Sequence, residues 1–428
     1  MPTLHIDQLF GGTGDGFLPD DLFDRFGPTL EALRVALLAE ASEDGHAFFH
    51  IPPHGKTVVE VRAAARNLRR IADELVVVGI GGSALGAKVL ASLPEGGRLH
   101  FMEGLDPATV EARLAEIPWE RAALNFVSKS GNTVETLVNA GFCIEALRRA
   151  NPRDWRDRIV ITCSEGDGRL QRWGEEHAMA PLLIPEPVGG RYSVLSAVGL
   201  LPAAFAGTDP TAVVAGAKAG ADKCLLLSGR ENPALSLAIS LFSFFQAGKG
   251  EVALWGYGET CWRLARWIQQ LWGESLGRCV GEGEAAHRVG ATPLACRGSE
   301  DQHSLLQLFM DGPRRRWVLF LTADGRGPAL SPFVRELAGL PDRTRHLGEI
   351  QGAFSAGTRR ALAEQGVPAA SYDLGSPNAA ALGEAFYVFE AATLYAAKLF
   401  EIDPFGQPGV EAGKRYAREI LERGPSAS

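Results

Sequence analysis

Short apolar runs alternate with amphipathic stretches along most of the chain. The runs are continuously apolar rather than alternating in polarity, which is typical of strands buried on both faces of a sheet. In the first half of the chain we predict strands at residues 75–78, 99–102, 123–127, 159–162 and 182–184. In the second half we predict strands at residues 251–254, 291–295, 316–321 and 369–372.

Helical spacing of apolar residues fills most of the segments between and around these strands. We predict helices at residues 29–40, 57–71, 196–206, 233–246, 259–276, 347–364, 379–400 and 410–423. Strands that alternate with helices predict an α/β fold in which parallel sheets are covered by helices on both faces. In sheets of this kind, ligands bind beyond the carboxyl ends of the strands.

The length of the chain predicts two domains, because 428 residues are too many for one typical hydrophobic core. We assign residues 1–55 to a helical lead-in, 56–207 to a first α/β domain and 208–402 to a second. The order of predicted strands and helices in the second domain loosely resembles that in the first. Residues 403–428 form a C-terminal loop and helix in this prediction.

A hydroxyl-rich turn follows the predicted strand at 123–127. It contains Ser128, Lys129, Ser130, Asn132 and Thr133 and leads into a helix. Unpaired N–H groups and the macrodipole make a helix N-terminus attractive to anions, and Lys129 adds a positive charge. The spacing is not that of a Walker A loop, so we expect a phosphate monoester rather than a nucleoside triphosphate. An ordinary capped helix is the structural alternative, since Ser, Thr and Asn are favoured caps.

A second turn, at residues 79–84, follows the strand predicted at 75–78. Its sequence fits the pattern G-x-G-x-x-A, and Glu103 ends the next strand near the position of a ribose-binding acid. A nicotinamide-dependent dehydrogenase is therefore a competing hypothesis. Alternatively, Ser83 supplies a further hydroxyl to an anion held by the Ser128 turn, because both turns lie at carboxyl ends of strands.

Four further residues are candidates for chemistry, each with a plain structural alternative. Arg191 follows two glycines between the two sheets and is an always-charged donor, or a structural arginine at a domain boundary. Glu274 lies on a Trp-rich helix and is a candidate general base, or a solvated helix residue. His303 is an acid/base candidate or a helix-start residue. Lys414 follows a rigid turn, and by itself is a surface lysine.

Composition narrows the classes of partner. The net charge is −8, and no long run of Lys or Arg occurs, which argues against nucleic acid. The six cysteines are scattered without metal-ligand spacing, so we expect reduced, mostly interior thiols and no metal. The N-terminus lacks the pattern of a secretory signal, and the apolar segments are too short or too broken to span a bilayer. We therefore expect a cytoplasmic protein.

Several longer motifs resemble those of the phosphoglucose isomerase family. They occur in the family's order from about residue 75 to the end of the chain: VGIGGSALG, FVSKSGNTVET, GGRYSVLSAVGLLP, QLWGESLG, ATPLACRGSEDQHSLLQLFMDGP and PFGQPGVEAGK. The match is to the shorter bacterial form. The resemblance implies two sugar-isomerase (SIS) domains, each a parallel sheet between helices, and an aldose–ketose isomerase of glucose 6-phosphate and fructose 6-phosphate.

The resemblance also implies roles for individual residues. Substrate and phosphate binding falls to Gly82, Ser83, Ser128, Lys129, Ser130, Thr133, Gln270 and Gln407. Glu274 is then the base that moves a proton between C1 and C2 through a cis-enediol, and Arg191 stabilises its negative charge. His303 and Lys414 open the sugar ring. No cofactor and no metal are implied, and the active unit is a homodimer in which His303 comes from the partner subunit.

Two positions depart from the family pattern. Ala84 stands where an acidic or bulky residue is common, and Gly406 where the family usually has Asp. Neither is a catalytic position, so the departures concern substrate breadth and loop rigidity. A non-catalytic SIS-type sensor of sugar phosphates is the remaining alternative. Such a sensor needs the serine turn, but it does not need Glu274, His303 and Lys414 together.

Overall fold

The computed structural model describes residues 1–11, 16–42, 55–93, 98–283 and 286–423. Within these ranges the strands are β1 Thr3–His5, β2 Glu74–Val78, β3 Arg98–Met102, β4 Ala122–Val127, β5 Ile159–Cys163, β6 Leu182–Leu183, β7 Glu251–Tyr257, β8 Arg278–Val280, β9 His287–Val289, β10 Thr292–Gly298, β11 Arg316–Thr322 and β12 Ala369–Asp373. Residues 43–54, in the last part of the predicted lead-in, and residues 424–428, at the end of the predicted C-terminal segment, lie outside the described residues.

The α-helices are α1 Leu22–Ser42, α2 Gly55–Arg69, α3 Leu85–Leu90, α4 Pro107–Glu116, α5 Val134–Ala150, α6 Arg169–Glu176, α7 Ala197–Phe205, α8 Pro210–Leu226, α9 Pro233–Gln246, α10 Glu259–Leu276, α11 Leu306–Asp311, α12 Pro332–Leu337, α13 Leu347–Glu364, α14 Ala379–Leu399 and α15 Glu411–Arg423. None of the helices in the described ranges has the length and apolar character that crossing a membrane requires.

Two five-stranded sheets form the framework. The first has the order β3-β2-β4-β5-β6 and is parallel throughout. The second has the order β1-β12-β11-β7-β10, with all of its pairs parallel except β1 with β12. The predicted α/β class, with two parallel sheets flanked by helices, is confirmed. The domain boundaries themselves remain predictions.

In each sheet, later strands of the chain lie on both sides of the first parallel strand. In the first sheet β2 lies between β3 and β4, and in the second β7 lies between β10 and β11. Connections that leave such a strand on opposite sides open a crevice at the carboxyl ends. In the first sheet this crevice receives the turns that follow β2 and β4, which are the two turns singled out from the sequence.

The N-terminal segment contains a strand in addition to the predicted helix. Strand β1 pairs antiparallel with β12, and Leu4 lies opposite Tyr372 at the edge of the second sheet. Helix α1 then packs against α8 and α14. An antiparallel hairpin, β8 with β9, was also missed. Three-residue strands are too short to show a hydrophobic period, so neither was visible in the sequence.

A large hydrophobic cluster contains residues of both sheets and of helices α7 to α10 and α14. Helix α14 is buried on every face over most of its length, so its sequence is apolar all round instead of amphipathic. Five of the six cysteines are buried and Cys279 is exposed, and no disulfide joins any of them. The prediction of mostly interior, unpaired thiols is confirmed.

Candidate active site

The glycine turn after β2 packs directly against the backbone that carries Arg191. A Cβ atom at Gly82 would lie 2.3 Å from the carbonyl oxygen of Gly190 and 2.7 Å from the backbone nitrogen of Arg191. Only glycine permits this approach. The glycine pair in the turn therefore has a local packing reason, and it places the carboxyl end of β2 beside Arg191. Ala84, one of the two departures, is fully buried behind the turn.

Arg191 lies at the centre of a polar cluster. Its Nη1 atom is 3.4 Å from Oε2 of Glu274 and donates to Oε1 of Gln407 at 3.0 Å. Nε2 of Gln270 donates to the other carboxylate oxygen of Glu274 at 3.0 Å. The Arg191 side chain is 5% exposed and that of Glu274 is 31% exposed. The structure thus brings together four predicted site residues, with one face of the carboxylate open to solvent.

Helix α10 positions both Gln270 and Glu274, which are four residues apart and therefore on one face. Trp267, Leu271 and Trp272 of the same helix are buried in the core. The apolar residues fix the helix, and the opposite face presents the amide and the carboxylate to Arg191. The bounds predicted for this helix from the sequence, residues 259–276, are the observed ones.

On its buried side, the guanidinium of Arg191 is hydrogen-bonded to residues that the sequence analysis did not predict. Its Nε atom donates to Oγ of Ser275 at 2.6 Å, and this hydroxyl is 2.8 Å from the hydroxyl of Tyr192. Both residues are fully buried. Burial raises the pKa of Tyr192 to about 12, so its hydroxyl keeps its proton at neutral pH. Ser275 adjoins Glu274 in the sequence, which is the only signal that could have indicated it.

The C-terminal loop closes the other side of Arg191. Its Nη2 atom donates to the carbonyl oxygens of Pro404 and Gly406, the latter at 3.0 Å. Gly406 has a φ of +68°, a left-handed conformation that glycine adopts without strain. The second departure from the family pattern therefore gives the loop a backbone shape that turns the Gly406 carbonyl towards Arg191.

The hydroxyl-rich turn after β4 faces the same crevice. The Ser128 hydroxyl lies 3.1 Å from that of Thr133, and Ser128 is 2% exposed. Thr133 precedes α5 as its N-cap residue but makes no side-chain hydrogen bond to the first turn of the helix. The alternative of an ordinary side-chain cap by Thr133 is therefore not what the structure has. A pair of hydroxyls beside an uncapped helix N-terminus suits an anion.

The other polar residues of this turn have local partners. The Ser130 hydroxyl accepts a hydrogen bond from the backbone N–H of Asn132 at 3.2 Å. Nζ of Lys129 donates to the backbone oxygen of Glu186 at 2.7 Å, so its side chain extends along the linker between the sheets. Burial lowers the pKa of Lys129 from its ordinary value. Ser83 has no side-chain hydrogen bond to any residue in the described ranges.

His303 and Lys414 lie outside the Arg191 cluster. His303 is exposed at the end of the 3₁₀ turn Glu300–Gln302, after β10. Nζ of Lys414 pairs with Glu411 on its own helix at 3.0 Å, and its side chain is 51% exposed. Among the residues that the structure describes, no hydrogen bond or ion pair joins either side chain to Glu274 or Arg191. A single chain therefore does not assemble all the predicted catalytic residues.

The dinucleotide hypothesis loses its main support in the structure. Glu103, the candidate ribose ligand, forms an ion pair with Lys88, whose ammonium also lies 5.2 Å from the centroid of the Phe101 ring. The glycine turn is packed against Gly190. Across the described part of the chain, no group of three or more His, Cys, Asp or Glu side chains is arranged to hold a metal ion.

Comparisons with known proteins identify the family of the chain. The family model described as phosphoglucose isomerase matches residues 61–323. A glucose-6-phosphate isomerase of Rubrobacter xylanophilus is 37% identical over 94% of this chain and 95% of its own, and one of Thermus thermophilus is 33% identical over 95% and 98%. The crystal structure of a hypothetical protein from Thermus thermophilus, 30% identical, covers 98% of this chain and 100% of that one with a TM-score of 0.87. The chain belongs to the phosphoglucose isomerase family.

Proposed function

We propose that this protein interconverts glucose 6-phosphate and fructose 6-phosphate. Family membership supports the reaction class, and relatives that cover nearly the whole chain carry the name glucose-6-phosphate isomerase. The single observation that carries the proposal is the contact of the Arg191 guanidinium with the Glu274 carboxylate. The hydroxyl pair of Ser128 and Thr133 follows β4, which pairs with β2, and the turn after β2 packs against the backbone of Arg191. Base, cation and anion site then lie around one crevice.

Glu274 is the base in this proposal. Its carboxylate takes the proton from C2 of the open-chain aldose. The electrons of that C–H bond form the C1–C2 double bond, the carbonyl electrons of C1 move to O1, and O1 takes up a proton to give a cis-enediol. Return of the first proton to C1, with loss of the proton from the C2 hydroxyl, gives the ketose. Arg191 stabilises the negative charge that develops on the sugar oxygens, and Gln270 orients the carboxylate. Aldose and ketose have the same atoms, so the reaction needs no external oxidant or reductant.

The phosphate binds at the turn after β4 in this proposal. Ser128, Ser130 and Thr133 donate their hydroxyls, the first N–H groups of α5 add their dipoles, and Ser83 and Gly82 close the site from the turn after β2. Lys129 contributes its charge from the rim. Binding energy at the phosphate, which does not react, holds C1 and C2 against Glu274. Gln407 lines the other end of the crevice.

Ring opening is assigned to His303 and Lys414, and the protein acts as a homodimer. Support for the dimer comes from the position of His303, which is exposed and outside the cluster of its own chain. In a homodimer, a histidine in that position can reach the sugar bound by the partner subunit. Lys414 is half exposed near the start of α15, the helix that follows the loop carrying Gln407 in the chain.

The test is turnover of fructose 6-phosphate by purified protein, with the product detected by a coupling enzyme and with chelator present. We expect glucose 6-phosphate to form without any added metal or cofactor for this protein. Binding of fructose 6-phosphate without turnover would instead support a sugar-phosphate sensor. Oxidation of a substrate by this chain alone, with a nicotinamide cofactor, would support the dehydrogenase hypothesis.

A further inference from the structure

Arg278, the first residue of β8, connects two parts of the candidate site that are distant in sequence. Its guanidinium donates to the backbone oxygens of Glu274 at 2.7 Å and Gly277 at 3.0 Å, at the end of helix α10. It also donates to three carbonyl oxygens of the C-terminal loop, at 3.0 to 3.2 Å: those of Asp403, Phe405 and Gly406. No carboxylate forms an ion pair with Arg278 among the described residues.

The carbonyl groups at the end of helix α10 and in the C-terminal loop explain why an arginine occupies this position. The last carbonyls of a helix have no partner within the helix, and the macrodipole places partial negative charge on them. A guanidinium has five N–H groups in a rigid fork, so it can donate to these carbonyls and to the loop at once. Lysine has the charge but not the fork, and its single nitrogen cannot span five acceptors.

Arg278 and Arg191 meet at one acceptor. The carbonyl oxygen of Gly406 receives Nη2 of Arg278 at 3.0 Å and Nη2 of Arg191 at 3.0 Å. The next residue, Gln407, accepts from Arg191 through its side chain. The loop therefore lies between two guanidinium groups. That of Arg191 faces the crevice, and that of Arg278 binds the end of the helix that carries Glu274.

We propose that Arg278 is a positioning residue that fixes the loop of residues 403–407 to the C-terminal end of helix α10. It touches the backbone of Glu274, and through the loop it sets where Gln407 lies and where α15 with Lys414 begins. The proposal adds a positioning residue to the proposed isomerase, and its predicted kinetic effects rest on that proposed activity. Arg278 contacts neither the Ser128 turn nor the carboxylate itself, so its effect passes through the loop.

Kinetics of Arg278→Lys and Arg278→Gln test the role, with Arg266→Lys as matched control. Arg266 is on the same helix as Glu274 and is exposed, without a side-chain hydrogen bond in the described ranges. For both Arg278 variants we expect kcat to fall roughly 10- to 100-fold, the scale of an ångström-sized misplacement of reacting groups. KM for fructose 6-phosphate should change less than about threefold, because the phosphate contacts are untouched. The control should match the wild type.

A second readout separates positioning from simple loss of stability. Backbone amides of residues 403–410 should exchange with deuterium faster in both Arg278 variants, while amides of β2, β4 and β7 exchange as in the wild type. Wild-type kcat, or unchanged exchange in the loop, would overturn the proposal. Failure of both variants to fold would make Arg278 a structural residue and overturn it as well. If the wild-type protein has no isomerase activity, the proposed function fails, and loop exchange still decides whether Arg278 fixes the loop.

Discussion

The guanidinium of Arg191 and the carboxylate of Glu274 face each other at 3.4 Å, although more than eighty residues separate them in the chain. This contact places a permanent cation beside the proposed base. Positive charge there is available to a sugar oxygen that becomes negative. A second donor, Gln270, fixes the orientation of the same carboxylate.

Replacing Glu274 with Gln should abolish most of the activity with little effect on binding. The amide keeps the shape and the contacts but cannot take a proton, so we expect kcat to fall roughly 10²- to 10⁴-fold, the usual worth of a general base. KM should stay near the wild-type value. Hydrogen exchange at C2 of glucose 6-phosphate in heavy water measures the proton transfer directly. Glu364→Gln, on the surface of α13, is the control. Exchange at the wild-type rate in Glu274→Gln would place the base elsewhere.

Removing the hydroxyl pair should affect substrate binding more than turnover. We expect the double variant Ser128→Ala, Thr133→Ala to raise KM for fructose 6-phosphate by roughly 10²- to 10⁴-fold, because two hydrogen bonds to a charged group are lost and each is worth about 1.5–3 kcal/mol. The reason is that, in the proposed site, both hydroxyls contact the phosphate equally before and during the reaction. Steady-state kinetics with Ser376→Ala, an exposed serine, as control measures this. An unchanged KM would remove the turn from the phosphate site.

The hydroxyl of Ser275 should matter more than that of Tyr192. Ser275→Ala leaves Nε of the buried Arg191 without an acceptor, and an unpaired buried donor costs about 1–3 kcal/mol. Tyr192→Phe leaves the 2.6 Å bond between Arg191 and Ser275 in place. We expect roughly a tenfold lower kcat for Ser275→Ala, a smaller loss for Tyr192→Phe, and recovery in Ser275→Thr. Equal kcat in Ser275→Ala and wild type would show that Arg191 needs no support at Nε.

His303 should be needed for ring opening and not for proton transfer. In His303→Ala we expect turnover of the cyclic sugar to fall more than exchange on the open-chain form. Heterodimers of His303→Ala and Glu274→Gln should regain activity, because one of their two sites then contains both intact residues. Each variant alone is the control. Verified heterodimers without recovered activity would mean that each site is built from one chain.

Thiol labelling should distinguish Cys279 from the other cysteines. Burial raises the pKa of Cys163 to about 11 and that of Cys261 to about 12, so almost no thiolate exists on them at pH 8. Cys279 is exposed. Brief iodoacetamide treatment of the folded protein at pH 8 should therefore modify Cys279 alone, as mass spectrometry of peptides would show. Cys279→Ser should remain unmodified, and rapid labelling of Cys163 would contradict its burial.

Continuous apolar runs were a reliable guide to the parallel strands. The run predicted at 75–78 is observed as Glu74–Val78, and that at 123–127 as Ala122–Val127. Helix α10 was predicted with the observed bounds. These features depend on local periodicity, which a sequence displays directly.

The parts that were missed depend on contacts between distant segments. Arg278 binds only backbone oxygens, and nothing in a sequence marks which carbonyls an arginine will reach. Ser275 was overlooked because a buried serine on a helix resembles any small core residue. The shape of the loop at Gly406 follows from its positive φ, which glycine permits but does not require.

Strand β1 also has a consequence for how the chain folds during synthesis. Thr3 pairs with Asp373, so nearly the whole described chain lies between the two partners, including every strand of the first sheet. A ribosome adds about 5–20 residues per second, and the first sheet has emerged long before β12 exists. The first sheet can therefore form while β1 is still unpaired. The second sheet gains this edge strand only near the end of translation. Its assembly closes the longest loop between paired strands in the described part of the chain, which makes this edge pairing a late event in folding.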